Sequence, residues 1–98
     1  MRVENPDSAS LLALLVGRLL KEAPAGQFEI ASGEMRAFIR DGVVTDAPCE
    51  PEASIKAPLS VLTAIAAGDG AVGHYLAGRV RIDGNIFKLW ALYRAFGR

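Results

Sequence analysis

The chain has 98 residues, 51% of them hydrophobic and 22% charged, with acidic and basic side chains in equal number. That length allows one domain, and the composition is that of a globular chain rather than a disordered or fibrous one. A net charge of zero gives no drive for broad nucleic-acid binding by counterion release, and a single cysteine, Cys49, excludes an internal disulfide and fits a reducing, cytoplasmic setting.

In chain order, the first apolar run is Leu11, Leu12, Leu14, Leu15 and Val16, preceded by Glu4 and Asp7 and followed by Arg18 and Lys21. It is too short and wrongly flanked for a signal peptide and reads as a helix over residues 8–21, with Asp7 or Ser8 as N-cap and Pro24-Ala25-Gly26 as its end. No stretch approaches the ~18 uncharged apolar residues needed to cross a bilayer. From Gln27 the period changes. Phe28 and Ile30 alternate with Glu29, Ser32-Gly33 turns the chain into the run 35–40, and Asp41-Gly42 connects that run to Val43-Val44-Thr45. A two-residue Asp-Gly connector favours a type I′ turn, so three strands form a meander.

An irregular link, 48–51, leads to the alternating run Ala53-Ser54-Ile55-Lys56-Ala57. Pro58 blocks further strand pairing and suits the first turn of a helix that carries Leu59, Leu62, Ile65 and Ala66 at helical spacing. Gly68-Asp69-Gly70 ends that helix, and residues 71–76 read as a second short one. The segment from Gly68 to Gly73 matches G-x-G-x-x-G literally. The dinucleotide fingerprint needs a strand feeding the glycines and an acidic residue about twenty positions on. Here a helix precedes the glycines and Asp83 follows too soon, so the segment reads as a loop between helices.

Catalytic constellations are sparse. His74 is the single histidine and Cys49 the single thiol, so no His/Cys zinc site can form, and a general base at His74 has no sequence-evident nucleophile or orienting group. No metal, cofactor or enzymatic activity is expected.

The most informative segment is 77–98. Val80 and Ile82 alternate with Arg79, Arg81 and Asp83, the pattern of a strand buried on one face, and Asp83-Gly84 breaks it. Ile86, Phe87, Leu89, Trp90, Leu92, Tyr93 and Phe96 then span an apolar arc of roughly 220°, where a helix on one core needs about 100° or somewhat more. A lipid, a membrane or a second subunit could cover the surplus. Residues 1–52 hold nine acidic against five basic side chains and residues 53–98 two against six, so the greasy helix lies in the basic half, which suits transient contact with an anionic membrane surface.

The order is therefore helix, three-strand meander, strand, two helices, strand and amphipathic helix, with helices able to cover one sheet face. Phe28 to Ile30, the hairpin Ile39-Arg40-Asp41-Gly42-Val43, Ala53-Ser54-Ile55-Lys56, Ala67-Gly68-Asp69 and above all the run from Tyr75 through Gly78 and Gly84 to Asn85 resemble the sterol carrier protein (type two) lipid-binding domain over residues 27–97. The resemblance implies an α/β fold with a five-stranded mixed sheet covered on one face by helices and closed by a C-terminal amphipathic helix. It also implies a hydrophobic tunnel for a sterol, fatty acyl chain, phospholipid or isoprenoid quinone intermediate. On matching positions, Ile65, Leu76, Val80 and Ile82 would face the tunnel, and Phe87, Trp90 and Tyr93 would line its lid. Some bacterial relatives act as accessory factors in ubiquinone biosynthesis. The expectation is a non-catalytic lipid-binding or carrier domain, the alternative a protein-interaction module that pairs with its own copy or with a biosynthetic enzyme.

Overall fold

The computed structural model describes residues 2–5, 7–20, 24, 26–67, 73 and 77–95, without the side chains of Ile86, Tyr93 and Ala95. Apart from Gly73, the expected helix over 71–76 lies outside these residues, as do the loop 68–70, His74, Leu76, Phe96 and Arg98.

The first helix, α1 (Leu11–Leu19), begins at Leu11 rather than at residue 8. Its N-cap is Ser10, whose Oγ accepts from the Ala13 amide at 3.1 Å and donates to Asp46 Oδ1 at 2.7 Å. The Ser10 amide donates to Asp46 Oδ2 at 2.9 Å. Asp7 and Ser8 instead belong to a turn in which the Ser8 amide donates to the Asn5 carbonyl. A carboxylate from 36 positions away thus helps decide where the helix starts, which local propensity could not reveal.

Four strands follow: β1 (Gln27–Ser32), β2 (Met35–Arg40), β3 (Val43–Thr45) and β4 (Ala53–Lys56). Ser32 pairs with Met35, so the first reversal falls on Gly33-Glu34, with Gly33 at φ +60°. At the second, Asp41 and Gly42 both take positive φ, +50° and +85°, as a type I′ turn requires. After α2 (Leu59–Ala66) the chain reaches β5 (Arg81–Gly84) and α3 (Ile86–Ala95). The sheet order is β3-β2-β1-β4-β5, with β1 and β4 parallel and the other neighbours antiparallel. This is the five-stranded mixed sheet that the resemblance implied.

Register assigns the faces. Phe28, Ile30, Ala37, Ile39, Val44, Ala53 and Ile55 share one face through directly opposed pairs, and there they meet Leu12, Val16, Leu19 and Leu20 of the α1 region, Val61 and Leu62 of α2, and Leu92 of α3. The helix α1 lies over β2 and β3, α3 over β4 and β5, and α2 against α1. The three described helices therefore pack on the same side.

The opposite face is not simply solvated. Phe38, Glu29 and Thr45 project there and are buried. Arg36 bonds the Glu29 carboxylate through its Nε at 2.6 Å and lays its guanidinium 5.1 Å from the Phe38 ring centre. The link 46–52 must pass from edge strand β3 to β4 beyond β1, and half-buried Cys49 feels the charges of Arg40, Glu29 and Asp41. The Arg36 side chain accounts for part of the burial on this face, pairing with Glu29 and lying over Phe38.

Candidate hydrophobic ligand site

The seam between the β4–β5 edge and α3 is shaped by backbone constraints at Gly84 and Asn85. Gly84 has φ +107°, and a Cβ there would stand 2.5 Å from the Glu52 carbonyl oxygen and 2.7 Å from Ala53 Cα. Only glycine fits this crossing of two strands. The next residue, Asn85, donates its amide to the Glu52 carbonyl at 2.9 Å, and its side-chain oxygen accepts from the Phe87 amide at 2.9 Å, capping α3. Lys88, one turn on, approaches the Glu52 carboxylate at 3.6 Å. Strand β5 and helix α3 are thereby held at a fixed angle over the start of β4.

On the helix-bearing face, Ile82 stands directly opposite Ile55. Ile55 is 7% exposed and Ile82 41%. The alternation around Ile82 predicts a strand with one face buried, whereas β5 is exposed along its whole length. Its inward side points to the helix layer, where α3 lies in contact with β4 and β5. Val80, just before the strand, and Ile65, near the end of α2, are half-buried and pack against the rim of the core.

Helix α3 divides its apolar residues between two sides. Leu92 is fully buried and Leu89 packs against the core. Phe87 and Trp90 are 82% and 60% exposed; with exposed Arg94 they fall within roughly 60° of one another, on the side opposite Leu89 and Leu92. Solvent-facing aromatic rings of this size are the informative kind of exposure. Of the seven residues expected to form the site, the structure therefore places Ile65 and Val80 at the rim of the core, Ile82 uncovered on the sheet, and Phe87 and Trp90 on the outer side of α3. Tyr93 lies in α3 with its side chain outside the described set, and Leu76 lies outside the described residues.

Among the described residues, no three His, Cys, Asp or Glu side chains come together in a way that could hold a metal ion, and no helix is long and apolar enough to cross a membrane. Burial pushes the Cys49 thiol above its ordinary value, partly offset by the Arg40 guanidinium and reinforced by the Glu29 and Asp41 carboxylates. A raised thiol is a poorer nucleophile at neutral pH. Sequence reasoning passed over Glu52, which ties together the starts of β1 and β4 and helix α3; its amide donates to the Gln27 carbonyl at 2.9 Å and its carboxylate accepts from the Gln27 amide at 3.2 Å. Nothing local to a Pro-Glu-Ala stretch signals that role.

No protein-family model matches the sequence, and no curated protein matches it. Solved structures do share its architecture. A UbiJ-SCP2 ubiquinone synthesis protein superposes with a TM-score of 0.54 at 12% identity, covering 92% of this chain and 81% of that one. The apo form of sterol carrier protein 2 from Yarrowia lipolytica gives a TM-score of 0.52 at 16% identity, over 90% of this chain and 81% of that chain. The strand order, the packing of the described helices on one face and these superpositions together show that the chain has the fold of sterol carrier protein 2 domains.

Proposed function

We propose that this chain is a non-catalytic, cytoplasmic lipid-binding or lipid-carrier domain that holds a hydrophobic ligand between its sheet and its helices. The ligand class is a sterol, fatty acyl chain, phospholipid or isoprenoid quinone intermediate. The observation that carries the reading is Ile82, which faces the helix layer in register with a buried isoleucine and yet is 41% exposed. Ile65, Leu76, Val80 and Ile82 form the ligand-facing wall, and Phe87, Trp90 and Tyr93 close it when ligand is present. The fold shared with a sterol carrier protein supports the class. Each buried methylene contributes about 0.8 kcal/mol, so a dozen contribute roughly 10 kcal/mol before ordering costs, enough to bind without a polar anchor.

Native mass spectrometry of protein purified from cells should find a co-purified lipid. Trp90 is the sole tryptophan, so its emission should shift to the blue when a fatty acyl or isoprenoid probe is added. A protein that purifies without lipid and leaves Trp90 unchanged with both probes ends the proposal.

A second reading rests on the outward side of α3, where Phe87 and Trp90 stand exposed beside Arg94. In it these rings dock on a second copy, on an enzyme of a lipid or quinone biosynthetic complex, or transiently on an anionic membrane surface. The name of one structural neighbour, a ubiquinone synthesis protein, favours the enzyme. Light scattering separates the readings: a lipid-loaded monomer supports the carrier, and a dimer without lipid that Trp90→Ala dissociates supports the interaction module.

A further inference from the structure

On the face of the sheet away from the helices, Lys56 of β4 stands directly across from Arg81 of β5. Directly opposed residues of an antiparallel pair point to the same side with Cβ atoms about 4.5–5.5 Å apart, and like charges there are destabilising. The ion pairs seen among the described residues, Arg36 with Glu29 and Lys88 with Glu52, leave both cations without a neutralising carboxylate. Both side chains are exposed. The two residues wall a pair of neighbouring clefts. One, of about 520 Å³, also takes in Glu29, Ser54, Ile82 and Asp83; the other, of about 290 Å³, is bounded by Lys56, Arg79 and Arg81 together with Gly33, Pro58 and Gly78, and among the described residues no acidic one lines it. Gly33 and Gly78 leave open space where side chains would stand, so a ligand can approach the backbone there.

We infer that this smaller cleft is a binding site for a phosphate or phosphomonoester group held between Lys56 and Arg81. An anion placed there relieves the repulsion between the opposed cations. The guanidinium offers a planar fork that matches two phosphate oxygens, and the ammonium a compact point charge. The cleft has room for a substituent on the phosphate as well as the group itself. Asp83 and Glu29 set the direction: both lie toward the larger cleft, which repels an anion, so it settles on the side of Gly33 and Gly78. The site lies on the opposite side of the sheet from Ile82 and stands whether or not the chain carries a lipid.

The test compares inorganic phosphate with chloride at matched ionic strength, read by thermal unfolding and by amide shifts of residues around Gly33 and Gly78. Phosphate should raise the unfolding temperature of the wild type, and Lys56→Gln or Arg81→Gln should weaken its binding by about tenfold or more. Arg81→Glu gives Lys56 an opposed carboxylate and serves as the folding control: stable without phosphate and indifferent to it. Sedimentation with phosphatidylcholine vesicles, with and without phosphatidic acid, identifies the source of the group. Recruitment by phosphatidic acid that needs Lys56 and Arg81 and is competed by phosphate points to a lipid headgroup, and phosphate binding without recruitment points to a soluble phosphoester. Equal unfolding temperatures in phosphate and chloride, or an undiminished phosphate response in all three variants, would overturn the inference.

Discussion

Ile55 and Ile82 face each other across the last ladder of the sheet, on the side that carries the helices, yet the first is 7% exposed and the second 41%. The same residue type at paired positions should therefore behave differently when truncated. Ile55→Ala opens a hole in a packed core and should cost about 2–5 kcal/mol in urea unfolding. Ile82→Ala removes surface that is already partly wet and should cost about 1 kcal/mol or less. If Ile82 serves a ligand, Ile82→Asp should weaken binding of a fluorescent acyl probe while the protein stays folded. Equal stability losses for the two alanine variants would mean that Ile82 is ordinary core.

Gly84 and Gly33 form a second contrast. Both have positive φ, but a Cβ on Gly84 would collide with the backbone of Glu52 and Ala53, whereas one on Gly33 meets nothing within 4 Å. Gly33→Ala should cost about 1–2 kcal/mol, the strain of a left-handed residue alone. Gly84→Ala adds a backbone collision to that strain and should exceed it clearly, with loosening of the α3 cap visible as faster amide exchange at Phe87 and Leu89. Similar unfolding midpoints for the two variants would refute the close approach.

The start of α1 depends on Ser10 and Asp46 together. Ser10→Ala should cost about 0.5–2 kcal/mol as a lost N-cap. Because the two side chains share a hydrogen bond, the double variant with Asp46→Ala should lose less than the sum of the single losses. Strict additivity in denaturant unfolding would show that Asp46 is not part of the cap.

Cys49 links stability to pH. Its thiol is raised in the folded protein, chiefly by burial, so folding favours the protonated form. The corresponding stability is fully present below the ordinary value of 9.0 and is lost as pH rises through the higher folded value. The unfolding midpoint should fall from about pH 8 to about pH 10 more steeply in the wild type than in Cys49→Ser, and Cys49 should be alkylated more slowly than a free thiol at about pH 8. Parallel pH profiles for the two proteins would remove the cysteine from the account.

Much of the fold was legible before any coordinates. Period-2 alternation marked β1 and β4, the turns at Ser32-Gly33 and Asp41-Gly42 bounded β2, and Pro58 marked the start of α2, because these signals depend on neighbours in the chain. The surplus apolar arc of the last helix was legible for the same reason. Its use was not: the arc contains Leu92, which packs in the core, and Phe87 and Trp90, which face out. Buried Glu29 was missed because alternation assigns a charged residue to the wet side, and the pairing with Arg36 that lets it be buried there appears only in the folded chain.

The sequence by itself determined which residues share a side of each strand or helix, since backbone geometry repeats at a fixed period regardless of what lies nearby. Tertiary structure alone decided which sides become covered and which residues meet across strands distant in the chain. Ile82 stands opposite Ile55, and Lys56 opposite Arg81, because β5 pairs with β4 in one register out of several that the same alternation would permit. That register is set by the crossing at Gly84 and the capped entry into α3. It leaves an apolar residue partly exposed on one face of the sheet and two cations opposed on the other.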